Sequence, residues 1–322
     1  MDIVRKKWWF FLFSAAVILP GIIALAIPPA LKPGIEFTSG AALTVTFKEA
    51  ATDAQIRDQL TSLGITGAVV QKLGDRSFFI RTGTLKDEEL NAGGSVKTPS
   101  QRAQLEAALS SNISPIESKS FDSVSPVIAG ETVRNAAIAV AAAAIVILLY
   151  ITWAFRRVPK PFRYGVCAVI ALVHDLLVVV GIFSILGKVM NMEVNSMFIV
   201  GVLTVMGYSV HDTIVVFDRI RENILRNPDR ALETTVNLSL FETMGRSLNT
   251  TLTTLITLGA LLLIGGPTIR PFLLVMFIGF VTGAYSSIFT AAQVLVAWEK
   301  GEFRRALRVL RLPRRPNPAQ SA

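Results

Sequence analysis

Val194-Asn195-Ser196-Met197-Phe198-Ile199-Val200-Gly201-Val202-Leu203-Thr204-Val205-Met206-Gly207-Tyr208-Ser209-Val210-His211-Asp212-Thr213-Ile214-Val215-Val216-Phe217 decides the fold. It is long and apolar enough to cross a bilayer as a helix, which takes roughly 20 residues. Five further segments share its character: about Trp8 to Leu31, Asn135 to Phe155, Phe162 to Leu186, Ser247 to Ile264 and Phe272 to Trp298. The pattern predicts a polytopic α-helical membrane protein with six transmembrane helices. Between the first and second lies the one sizeable polar stretch, Ala30 to Thr132. The expected order is a cytoplasmic N-terminus with helix 1 (1–31), a periplasmic domain (32–132), helices 2 to 6 (133–298) and a basic cytoplasmic tail (299–322).

Composition agrees. Charged residues make up 17% of the chain, against about a quarter in soluble domains, which excludes an ordinary soluble globule. The single cysteine, Cys167, lies in an apolar run and excludes a disulfide framework. A net charge of +9 suits nucleic acid only if it forms a patch on a folded surface. It does not: Ala30 to Thr132 holds 10 Lys and Arg against 12 Asp and Glu, a net of −2, and the remainder holds 22 against 11, a net of +11. The excess clusters at Arg5-Lys6-Lys7, at Arg156, Arg157, Lys160 and Arg163, at Arg219, Arg221, Arg226 and Arg230, and from Lys300 through Arg315. All four clusters fall on one side when both termini are cytoplasmic, as the positive-inside rule requires. No nucleic-acid partner is expected. The tail Phe303 to Leu310 is basic and amphipathic and is expected on the anionic inner leaflet of the lipid bilayer. The first apolar run could be read as a signal peptide, but its 24 residues exceed a typical apolar core of that kind, so it is expected to stay as an anchor.

In the polar stretch, Ala41 to Phe47 alternates as a strand does. Thr52 and Gln55 form a capping box that opens a helix to about Leu63. Gly67 to Leu73 and Ser77 to Thr82 read as a hairpin around Gly74-Asp75-Arg76. Thr98 as N-cap with Pro99 in the first turn opens a second helix to about Ser111. Ile116 to Ser125 reads as a last strand. The order βαββαβ predicts an α+β ferredoxin-like extramembrane domain between helices 1 and 2. It contains neither histidine nor cysteine. Its carboxylates are spaced as on a solvated surface, so it is expected to bind or to act as a lever.

Chemistry is therefore sought among ionisable groups within the spans, which are costly there. Both histidines precede an aspartate in an apolar run: His174-Asp175 and His211-Asp212. Neither pair has metal-ligand spacing, and no metal site is expected. Thr204, Tyr208, His211 and Asp212 share one face of the fourth span, and Arg246, Thr250, Thr253 and Thr257 form a stripe on the fifth. Asp212 and Arg246 can thus face each other across the bundle, as a proton-coupled machine would need. A static buried ion pair, or an Arg246 reaching for the cytoplasmic interface, is the alternative reading of the same residues. Gly279 and Gly283 have the small-xxx-small spacing of close helix packing. Nothing resembles a P-loop, a nucleophile elbow or a metal cage, so no enzyme is expected.

Gly207 through Asn223, GYSVHDTIVVFDRIREN, resembles the signature of the SecF subunit of the bacterial protein-export machinery, which is related to RND-type exporters. Gly34-Ile35-Glu36-Phe37-Thr38-Ser39-Gly40, Ser125-Pro126-Val127-Ile128-Ala129-Gly130 and Leu238 through Thr254 are similar to further family stretches, in order, with Glu36 and Ser39 standing where Asp and Gly are usual. The resemblance implies a multi-pass protein of the bacterial inner membrane that partners a SecD-like subunit, the Sec translocon channel and unfolded secreted polypeptide. It implies the proton as coupling ion, with no other cofactor, and places Asp212 and Arg246 in the proton pathway. His211 stands where Asn is common and adds a second titratable group beside Asp212. The role of Asp175 stays open. A proton-driven exporter of small molecules or lipids is disfavoured by the single extramembrane insertion, and a passive membrane scaffold would tolerate neutral residues at Asp212 and Arg246.

Overall fold

The computed structural model describes residues 2–86, 89–90, 96–266 and 269–302. A 3-10 turn, Val4–Lys6, leads into α1, Lys7–Ala26. The helix stops where Ile27 turns extended ahead of Pro28 and Pro29, short of the expected Leu31, because a residue before proline is driven out of the helical region. After a short α2, Ile35–Thr38, a small α+β domain runs β1 (Gly40–Phe47), α3 (Asp53–Ser62), β2 (Val69–Lys72), β3 (Ser77–Thr82), β4 (Glu89–Leu90), β5 (Val96–Thr98), α4 (Gln101–Asn112) and β6 (Ile116–Val124).

The main sheet has the order β2-β3-β1-β6 with every neighbour antiparallel, and β4 pairs with β5 apart from it. Val45 lies opposite Phe78 and Leu43 opposite Ile80. Those four side chains share one buried cluster with Ile56 and Leu60 of α3 and Leu105 and Leu109 of α4, so both helices cover one face of the sheet. The Thr52 and Gln55 capping box forms. The second cap differs from expectation: Ser100, and not Thr98, accepts from the Ala103 amide at 3.2 Å. Thr98 is held extended in β5, and the Gln101 amide donates to the Lys86 carbonyl, so the helix opens two residues later.

β6 passes into the membrane part without a linker. Ser125 caps α5, Pro126–Ala154, by accepting from the Ile128 amide, and Pro126 occupies the first helical position. Then follow α6 (Pro161–Met190), α7 (Ser196–Arg226), α8 (Leu232–Ile264) and a last span, Arg270–Glu299. The last span comprises α9 (Arg270–Ser286), a π-helical turn (Ser287–Ala291) and α10 (Ala292–Glu299). Six helices of the described residues are long and apolar enough to cross a membrane. The chain is a polytopic helical membrane protein.

Half or more of the most apolar stretch of α6, α7 and the last span is buried, against 6% for α5 and 17% for α1 and α8. The first three therefore form the centre, with the others around them. The helices outrun their apolar windows because polar pairs continue the packing. Beyond the apolar stretches of α7 and α8, Arg219 Nε meets Glu242 at 2.6 Å and Asn223 Nδ2 donates to Ser239 at 2.9 Å. α1 crosses α6 at Gly21 and Gly181, where a Cβ on either would lie 2.7 Å from the other's Cα.

The turn between α6 and α7 ties the domain to the bundle. Gly34 N donates to Val194 O, and Val194 N to Lys32 O, each at 2.7 Å. Arg81 of β3 pairs with Glu193 at 3.1 Å, and Gln71 of β2 donates to the Asn191 carbonyl at 2.8 Å. Burial pushes the Glu193 carboxyl above its usual range, against the pull of the Arg81 cation; Glu36 adds to the rise and Lys32 opposes it. The tail expected from Phe303 onward lies outside the described residues.

Candidate functional site

Among the described residues two carboxylates lie buried inside the bundle, and each accepts a hydrogen bond from at least one hydroxyl group. Asp175 on α6 is 1% exposed. Its Oδ1 sits 3.0 Å from His174 Nδ1, and its Oδ2 accepts from Ser209 of α7 at 2.6 Å and from Ser286 of α9 at 2.7 Å. One carboxylate thus joins the three central helices. Beside it Thr213 and Ser287 hydroxyls lie 2.9 Å apart, and Ser287 also donates to the Ser209 carbonyl. Close approach makes this possible: a Cβ on Gly283 would lie 3.1 Å from Ser209 Cβ, and one on Gly279 would lie 2.2 Å from Val205 Cγ2. Gly279 and Gly283 are where α9 meets α7, and their lack of a side chain lets Ser209 and Ser286 approach Asp175 together.

Asp212 on α7 is 8% exposed. Its Oδ1 accepts from the Ser247 hydroxyl of α8; its Oδ2 meets no donor at hydrogen-bond distance among the described residues, and the Ser287 hydroxyl of the last span is the next donor near the carboxylate. Arg246 does not meet it. The arginine is exposed on α8, and so is His211 on α7. A face shared by four residues spans too wide an arc to be buried as one: Thr204 and His211 are exposed, Tyr208 is half-buried and Asp212 is inside. Tyr208 stacks on Phe280 with ring centroids 4.0 Å apart, and its hydroxyl lies 3.2 Å from Thr251. Arg246, Thr250, Thr253 and Thr257 are all exposed on α8, and the three threonines hydrogen-bond to carbonyls of their own helix. The result is a polar strip on the outside of α7 and α8 with Asp212 just behind it.

Sequence reasoning missed the serines. Ser209, Ser247 and Ser286 each donate to a buried carboxylate, whereas serine in an apolar run reads only as a small packing residue. The available signal was position: Ser209 lies one turn before Asp212, and Ser286 lies one turn after Gly283.

The arrangement can hold two carboxylates in low-dielectric surroundings and stabilise the charged form of each through hydroxyl donors, the Asp175 set being complete and the Asp212 set incomplete. A family model described as the C-terminal part of the protein export membrane proteins SecD and SecF matches residues 104–301. The protein translocase subunit SecF of Thermobaculum terrenum is 42% identical over all of this chain and 99% of that protein. The protein translocase subunit SecDF of Bacillus subtilis is 33% identical over 94% of this chain, which there makes up 39% of a longer polypeptide. The crystal structure of SecDF from Thermus thermophilus, described as a translocon-associated membrane protein, superposes with a TM-score of 0.76 at 30% identity, over 93% of this chain and 39% of that one. The chain belongs to the SecF family of protein translocase subunits, multi-pass proteins of the bacterial inner membrane.

Proposed function

We propose that this protein-export subunit couples proton movement across the membrane to the late steps of polypeptide translocation, with Asp212 as the group that takes up and releases the proton. The observation that carries the reading is the incomplete solvation of the Asp212 carboxylate behind an exposed polar strip. A buried carboxylate with one free oxygen changes charge in response to small movements of nearby donors and cations. Arg246 is the cation of that strip and His211 its other titratable group, and a partner covering it would bring them against Asp212.

The partner is a SecD subunit. Relatives in which the matching stretch is part of a longer SecDF chain support this, and the strip on α7 and α8 is the surface it would cover. The order β2-β3-β1-β6 with two helices on one face supports a ferredoxin-like fold for the extramembrane domain. With both termini cytoplasmic, that domain faces outward, meets unfolded polypeptide as it leaves the Sec translocon channel, and moves through the direct junction of β6 with α5. The coupling ion is the proton; no bond is broken in a substrate and no cofactor is required.

Asp212→Asn as the sole copy, assayed by export of a periplasmic reporter protein, tests the reading. Loss of export with normal membrane insertion and normal co-purification of the SecD partner is expected, and normal export refutes it.

A further inference from the structure

Between α1, α6 and α10 lies a cavity of about 780 Å³. At one end stand Lys160, Arg163 and Glu299, where both cations pair with the one carboxylate at 3.1 and 2.7 Å. Its walls include Val166, Ile170 and Val173, spaced along one ridge of α6, with Phe11 and Ile18 of α1. Its inner end reaches His174 and Thr290. From Arg163 to His174 the helix rises ~16 Å at about 1.5 Å per residue, half of an about 30 Å hydrocarbon layer.

The inner end lacks hydrogen-bond partners. His174 is 8% exposed and Thr290 is 5% exposed, yet neither His174 Nε2 nor the Thr290 hydroxyl has a partner among the described residues. One turn on, fully buried Gln293 has none for either amide atom. His174 and Thr290 line the inner end, so an acyl chain there would leave their unpartnered atoms in hydrocarbon, whereas water entering from the charged mouth is an occupant able to pair with them.

We propose that this cleft is a water-filled vestibule by which protons from the side of Lys160 and Arg163 reach His174, and that the His174-Asp175 pair binds them. The proposal rests on the proton-coupled reading above and adds to it a route and a second binding place. With Asp175 ionised, its oxygens only accept, so His174 Nδ1 carries the proton of the 3.0 Å bond and Nε2 keeps a lone pair that has no hydrogen-bond partner among the described residues. A proton arriving on water binds at Nε2, and the pair gains one proton and one positive charge; release to water reverses this. The gain weakens the attraction of Asp175 for the Ser209 and Ser286 hydroxyls, so the contact of α6 with α7 and α9 responds to the proton. Few other titratable groups face the pair: Tyr285 of α9 stacks on His174 with centroids 6.0 Å apart, Cys167 lies two turns away on α6, and Lys160, Arg163 and Glu299 stand at the mouth, beside the Lys7 and Glu302 pair.

Two measurements on the complex with its SecD partner test this. Single cysteines replace Ile170, Val173 and, as a bilayer-facing reference on α5, Val146, in a Cys167→Ala background. A charged methanethiosulfonate is applied to sealed vesicles from the Lys160 side. Reaction at Ile170→Cys and Val173→Cys about tenfold or more faster than at Val146→Cys is expected, because the thiolate forms in water and not in hydrocarbon. Equal rates, or reaction only with a lipid-soluble maleimide, would mean that lipid fills the cleft and would overturn the proposal. Proton flux is then measured in liposomes. His174→Ala and His174→Gln should both lose flux, and imidazole should restore it to His174→Ala while its weakly basic isostere pyrazole should not. Undiminished flux in His174→Gln, or equal rescue by both heterocycles, overturns the role of His174. Undiminished flux in Asp212→Asn would instead refute the proton-coupled reading, whatever the labelling shows.

Discussion

The Ser247 hydroxyl donates to Asp212, while Arg246, one residue earlier on the same helix, points out of the bundle. Ser247 is therefore the residue of α8 that holds Asp212 by a hydrogen bond. Ser247→Ala removes the donor that lies at hydrogen-bond distance from Asp212, a bond worth ~1.5–3 kcal/mol to the charged carboxylate. Export of a secreted reporter is expected to fall by about tenfold, the factor that corresponds to ~1.4 kcal/mol on a barrier, with Ser247→Thr near normal. Equal export in Ser247→Ala and the parent would show that this bond does not matter to coupling.

The Ser209 and Ser286 hydroxyls share one oxygen of Asp175, so their contributions should not add. Ser209→Ala and Ser286→Ala are each expected to cost ~1.5–3 kcal/mol of stability. The double variant is expected to differ from their sum, because the bond left in each single variant strengthens. Thermal unfolding of the purified protein with a fluorescent reporter of tertiary structure measures the cycle, and strict additivity would argue against a shared acceptor.

The two glycines of the α7 and α9 crossing differ in what a methyl group would meet. At Gly279 it meets Val205 side-chain carbons at 2.2 and 2.5 Å, and at Gly283 the nearest atom is Ser209 Cβ at 3.1 Å. Gly279→Ala is expected to destabilise by about 1–3 kcal/mol through overpacking, and Gly283→Ala by less. Gly283→Ala also presses on Ser209, so it is expected to impair export more than its stability loss explains. Melting temperature and reporter export, measured on both variants, separate the two effects.

Much of this was legible because it is local. Six apolar runs give six helices since the bilayer sets a minimum length, and Thr52 with Gln55 makes a cap because both partners lie within one turn. Helix ends were less legible: hydropathy reports where hydrocarbon ends, whereas α7 and α8 continue on pairs such as Arg219 with Glu242. The facing of Asp212 was half legible. Periodicity assigns residues to a face but not the rotation of that face against its neighbour, and one residue is a turn of about 100°. That step puts Ser247 inside and Arg246 outside. The hydroxyl cage of Asp175 was not legible, since it draws on α6, α7 and α9 from positions far apart in the chain.

Glu193 offers a pH-dependent check on the contact between domain and bundle. Its carboxyl is raised above the usual range, first by burial, so the folded state holds its proton more tightly than the unfolded chain does. The sign follows: as pH rises from the unfolded value, near 4.5, through the folded one, the native state must ionise a buried group, and stability is lost across that window and stays lost above it. Glu193→Gln cannot ionise, and keeps a polar group beside Arg81. The melting temperature of Glu193→Gln minus that of the parent is therefore expected to be smaller near pH 4.5 than near neutrality, the other carboxylates cancelling in the difference. A difference that shrinks as pH rises would mean that the Arg81 cation outweighs burial. In that case the pairing of β3 with the α6 to α7 turn would strengthen, not weaken, as the carboxylate forms.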